Sequence, residues 1–247
     1  MVSINMFKKT EITNMAISIL VLGLVFGFDD GKETFVLTRW LLNLLGMILI
    51  VAIIILIRET VIKITANRHK VDSEYGLWNI KKVLFKGGNL KSGVPIGIIL
   101  TLLFSIFSKG KLFFTAIGSH NLKERLAART GRKYIFLEYK EESLIVMSGI
   151  LTNIFLIYIA ALLQTIFSIN LNNFITINFF IALFNIILPV SNLDGAKIFF
   201  GSRLQWVFGV LFLLTSFSLF RLGFLTGLII AAVLSGIGVL VYYFKWN

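Results

Sequence analysis

The sequence contains no cysteine, only two prolines and only two histidines. Without cysteine there is no disulfide, no thiolate metal site and no cysteine nucleophile. Two histidines leave little imidazole for a metal site. Charge is also scarce: 15% of residues are charged, where a soluble domain carries about a quarter. Acidic residues number 12 against 24 Lys and Arg. A surface so poor in charge could not stay dispersed in water.

The abundance is apolar. Hydrophobic residues make up 57% of the 247, and the mean hydropathy is +0.89. They come in long blocks, which makes lipid the expected solvent. The expected fold class is an all-α polytopic membrane protein, read as a single membrane-embedded domain over 1–247. Six spans are expected: Met15–Phe28, Phe35–Ile57, Ser143–Ile169, Phe174–Val190, Gln205–Phe220 and Leu222–Phe244. The first has Lys8 and Lys9 before it, like a signal peptide, but Asp29 and Asp30 follow at once with no small-residue cleavage site, so it is read as uncleaved. Within Phe35–Ile57, Arg39 lies near the outer end, where it can snorkel to the interface. Val94–Phe107 is an apolar stretch of only 14 residues, a length that suits a re-entrant or interfacial segment. Arg132–Lys140, RKYIFLEYK, is rich in aromatic and β-branched residues and reads as a strand, with Lys111–Thr115 as its partner in a small surface sheet. No internal repeat is evident.

The net charge of +12 is clustered, with eight basic residues in 58–93 and eight in 108–142. Nucleic-acid binding is one explanation of such basicity. Loops held on the cytoplasmic side by the positive-inside rule explain it better. On that rule both basic segments are cytoplasmic, 94–107 dips in and returns, Asp29–Glu33 is outside, and both termini are cytoplasmic.

Two acids stand out by position. Glu59 follows the apolar run ending at Ile57, and Asp194 follows the span ending at Val190, in FNIILPVSNLDGAKI. A carboxylate at membrane depth is a functional-site candidate, unless it is merely an interfacial charge in contact with water.

The chain resembles the site-2 protease family of intramembrane zinc metalloproteases, especially its small archaeal members, over nearly its whole length. Leu193, Asp194 and Gly195 match the family's Leu-Asp-Gly. Gly149 and Asn153 in GILTN match a Gly-Pro-x-x-Asn motif, with Ile150 in place of the proline. Pro189 matches a proline five residues before the Asp, and Asn185 lies one residue further from it than the family pattern has. The resemblance implies that Asn153, Asn185 and these glycines and proline shape a substrate groove.

It also implies a metal site built on His-Glu-x-x-His. Positions i and i+4 share one helix face, so two imidazoles can hold one zinc while the Glu acts as general base. Asp194 fits the third ligand and Glu59 the general base. Lys63 and Ala66 fit the residues downstream. Arg58, however, stands at the first histidine position and Ile62 at the second. Arginine offers no acceptor lone pair and isoleucine no donor atom. His69 lies on roughly the face of Arg58, but about 16 Å along a continuous helix. His120 sits in a polar stretch with Glu124 four residues on, a helix-like pair better explained as a solvated face.

A charged Arg58 beside retained acids is expected to pair with Asp194 in the space a zinc would take, unless it snorkels to lipid phosphates. Two functions follow. One is an inactive homologue that binds transmembrane segments of other proteins by strand addition, within the lipid bilayer, with no nucleic acid and no metal cofactor. The other is an active zinc endopeptidase with an atypical site. The missing imidazoles favour the first, because a zinc-bound nucleophile needs several ligands. A transporter finds little support, since no repeated pair of broken helices is visible.

Overall fold

A computed structural model describes residues 7–32, 34–82, 89–129, 136–190 and 192–246. The chain is mostly helical. Its order is α1 (Lys9–Phe26), α2 (Leu37–Arg68), β1 (Val71–Leu77), β2 (Ile80–Lys82), β3 (Asn89–Val94), α3 (Ile96–Phe107), β4 (Gly118–Glu124), α4 (Leu126–Arg129), α5 (Tyr139–Phe167), α6 (Asn172–Ile187), α7 (Asp194–Gly201), α8 (Arg203–Leu219), a 3-10 turn (Phe220–Leu222) and α9 (Phe224–Trp246). Among the described residues, five helices are long and apolar enough to cross a membrane: α1, α2, α5, α8 with its 3-10 extension, and α9. This architecture is compatible with a polytopic membrane protein. Two shorter apolar helices, α3 and α6, have 12 and 16 residues.

The helix ends follow local chemistry. Glu11, in the first turn of α1, accepts the Lys8 N–H at 2.7 Å. Glu141 and Glu142 sit in the first turn of α5, where carboxylates favour the positive end of the helix dipole. Ser202 accepts the Gln205 N–H at 3.3 Å and caps α8. Past α2, Lys70 takes a left-handed φ of 59° and turns the chain into β1.

The surface sheet differs from the expected one. β1 pairs with β4, and β2 pairs antiparallel with β3, with Ile80 opposite Val94 and Lys82 opposite Asn89. Lys111–Thr115 is not a strand. Residues 132–135 of RKYIFLEYK lie outside the described residues. Phe136–Glu138 are irregular, and Tyr139 and Lys140 open α5. Glu138 at the N-cap and two first-turn acids outweigh the β propensity of the aromatics there.

The chain divides into two compact units, 1–55 with 74–121 and 56–73 with 122–247. In the first unit, Tyr75 of β1 is the anchor. Its N–H donates to Glu11 at 3.1 Å, its carbonyl accepts from Asn14, and its hydroxyl bonds Ser18 at 2.8 Å. All three partners are on α1. Arg39 donates its Nε to Asp30 at 2.8 Å. That bond holds the Asp30 carboxyl below the usual carboxylate range. His120 is 2% exposed and packs edge-on against Tyr75. It lies on β4 with Glu124, so the helical, solvated His/Glu pair expected from spacing is a strand instead.

In the second unit the apolar core joins α5, α6, α7, α8 and α9 around Ile150, Ile154, Tyr158, Phe179, Ile198, Phe212 and Ala231. A smaller cluster joins Ile62, Ala66, Val71 and Ile145. Beside it lies a fully buried arginine. Arg129 donates to the carbonyls of His69 (2.8 Å) and Phe136 (3.1 Å) and to Glu141 (2.6 Å). Three separate segments are tied by one guanidinium. Lysine cannot reproduce that planar fork, so Arg129→Lys is expected to lower stability by about 2 kcal/mol, read as a lower thermal midpoint in detergent.

Candidate functional site

The C-terminal part of α2 concentrates its charges: Arg58, Glu59, Lys63 and Arg68. Adjacent residues on a helix point about 100° apart, yet the long Arg58 side chain folds back over its neighbour. Its Nη1 donates to Glu59 Oε1 at 2.8 Å. Its Nη2 donates to Asp194 Oδ2 at 3.2 Å. All three side chains are buried, Arg58 and Glu59 at 3% exposure and Asp194 at 0%. The pairing of Arg58 with Asp194 is the contact expected of these two residues.

Asp194 is placed by the chain around it. α6 ends at Ile187, and the irregular segment after it includes exposed Pro189. Asn192 takes a left-handed φ of 71°, a conformation asparagine tolerates better than most residues. α7 then starts at Asp194, whose carboxylate favours the helix N-terminus. One turn on, Lys197 lies 3.5 Å from Asp194. The buried Arg58 and the half-buried Lys197 thus both set positive charge against the buried Asp194.

Two glycines let the backbones come this close. A Cβ on Gly149 would stand 2.5 Å from Ile62 Cδ1 and 3.2 Å from Arg58 Nε. Gly149 thus lies against positions 58 and 62 together. A Cβ on Gly195 would stand 2.5 Å from the Leu188 carbonyl oxygen and 2.9 Å from that of Ile186.

The asparagines act elsewhere. Buried Asn153 donates to the Asn178 carbonyl at 3.4 Å, and Asn185 donates to the Ile181 carbonyl at 2.7 Å. Both amides donate to carbonyls of α6. Sequence spacing alone did not single out Lys197 or Arg129. For Lys197 the signal was available, since an Asp and a Lys three apart at a helix start share a face.

A zinc ion does not fit this arrangement. At position 58 a guanidinium with no lone pair donates into the two carboxylates that would serve a metal. Position 62 offers only hydrocarbon, fully buried. His69 lies in the turn after α2, with Nδ1 3.6 Å from Glu141. Among the described residues no group of three or more His, Asp or Glu could hold a metal ion. What the cluster can do is hold α2 and α7 together through charge-assisted hydrogen bonds in a dry setting.

No family model, no curated protein and no solved structure matches this chain.

Proposed function

We propose that this chain is a multi-pass membrane protein of the site-2-protease type that has lost its chemistry and works as a pseudoprotease. The supporting observation is the Arg58 guanidinium, bonded to Glu59 and Asp194 at once. Both acids that the resemblance assigns to catalysis and metal binding are engaged by a cation of the chain itself. The topology we propose has six spans, a re-entrant 94–107 segment and both termini in the cytoplasm, following the positive-inside rule. Its partners are transmembrane segments of other membrane proteins, held in extended form. The two-stranded sheets support this reading, because strand addition uses main-chain hydrogen bonds at a sheet edge. Nucleic acid has no part in it.

The test is metal content together with cleavage. The purified protein is expected to hold far less than one zinc per chain and to leave a transmembrane peptide intact. One zinc per chain, with cleavage lost in Glu59→Gln, would establish an active zinc endopeptidase and refute the proposal. The double variant Arg58→His with Ile62→His frees Asp194 and supplies two imidazoles on one helix face. It is expected to bind one zinc, and a further Asp194→Ala change to weaken that binding strongly.

A further inference from the structure

At the end of α6 away from Asp194, two adjoining cavities of about 360 and 260 Å³ share Asn172, Phe220 and Arg221 in their walls. Thr176 lines the larger, and Gln164 and Phe224 line the smaller. We infer that this place binds the phosphate of a phospholipid headgroup, with Arg221 as its anchor.

Charge comes first. From residue 143 to the last residue the sequence has one acid, Asp194. The length of α6, about 24 Å at 1.5 Å per residue, separates that acid from Asn172. Arg221 is exposed, and its one contact among the described residues is the Phe220 ring, 5.7 Å from the guanidinium carbon. Its hydrogen-bond donors are unspent.

The other polar groups also donate. Asn172 Oδ1 accepts from Gln164 at 3.1 Å, which leaves the Asn172 amide hydrogens for a ligand. Thr176 adds a hydroxyl. The α6 and α9 helices begin at the cavity walls, with Asn172 and Phe224, and their positive dipole ends reinforce Arg221. A cation and neutral donors, with no carboxylate, complement an anion. A planar guanidinium fork matches two phosphate oxygens.

The remaining walls argue for lipid over a free ion. Phe220 and Phe224 give the cavities an apolar side, which suits glycerol and the first acyl carbons. The combined space admits a phosphodiester and its glycerol but not a whole lipid, whose chains would lie along the apolar helices outside. The inference rests on the proposed membrane embedding. It does not depend on the state of the Arg58 cluster, so metal content and cleavage can fail without touching it.

The experiment is native mass spectrometry of the full chain in detergent, titrated with short-chain phosphatidylglycerol. Arg221→Gln is expected to weaken binding about tenfold or more, as the loss of one charged bidentate contact implies. Arg203 is the matched control. It lies over the Phe199 ring at 5.9 Å and opens α8 at the other end. Arg203→Gln is expected to stay within about twofold. Equal losses in both variants, or none in either, overturn the proposal. Inorganic phosphate that displaces the lipid at equal concentration overturns the lipid assignment in favour of a free anion. If Arg221→Gln does not fold, Arg221→Lys replaces it. A loss of about threefold is then expected, because the charge stays and the fork goes, and undiminished binding counts against the site.

Discussion

Replacing Arg58 with methionine is expected to destabilise the protein by about 3–5 kcal/mol, because it removes one partner of a buried ion cluster and strands the others. Glu59 at 3% exposure and Asp194 at 0% cannot turn to water for compensation. Lys197, 3.5 Å from Asp194, remains as a cation beside that carboxylate. The informative comparison is the triple variant Arg58→Met, Glu59→Gln, Asp194→Asn. It deletes both carboxylate charges along with the guanidinium, so most of the loss should return. Strong non-additivity of this kind is the mark of groups that act as a unit. Unfolding in detergent by heat or by added denaturing surfactant reads both. If the single variant is as stable as the parent, the ion cluster is not holding the site together.

Gly195→Ala is expected to be the other severe change, at about 3 kcal/mol. The added carbon would meet main-chain oxygen at 2.5 and 2.9 Å. A flexible side chain could swing away from such a contact, but the carbonyls of Leu188 and Ile186 cannot. The start of α7 must therefore shift, and Asp194, its neighbour in sequence, shifts with it. Lower stability and a disturbed Arg58–Asp194 pair should appear together. Gly149→Ala meets a methyl of Ile62 at 2.5 Å, so its effect is expected to be smaller.

Much of this was legible in the sequence. Long apolar blocks forecast helices, and a helix overlaps each of the six expected spans, though among the described residues five are long enough to cross a membrane. Most ends moved by a few residues, and the Ser202 cap sets the start of α8, but α2 runs on past Ile57 to Arg68. The pairing of Arg58 with Asp194 was expected because the family resemblance put the two residues at one site, where a buried cation and a buried acid pair. The sheet was less legible. The β4 sequence, GSHNLKE, has weak strand propensity. It becomes a strand through its pairing with β1. Tyr75 of β1 lies so close to Gly118 that a side chain there would overlap its hydroxyl. Sequence patterns report a residue's own preference, and here a distant partner overrides it. Arg129 escaped for a related reason, since its carbonyl acceptors belong to main chain that any sequence could supply.

The ion cluster also sets an order of events in biosynthesis. Arg58 and Glu59 are neighbours and can neutralise each other as soon as they are made. Asp194 follows Arg58 by 136 residues. At about 5–20 residues per second, roughly 7–27 s pass before it is made. During that interval Arg58 has Glu59 beside it as a partner within α2. The arrival of α7 then trades a local pair for a shared one, and the last third of the protein locks a helix that was laid down among the first.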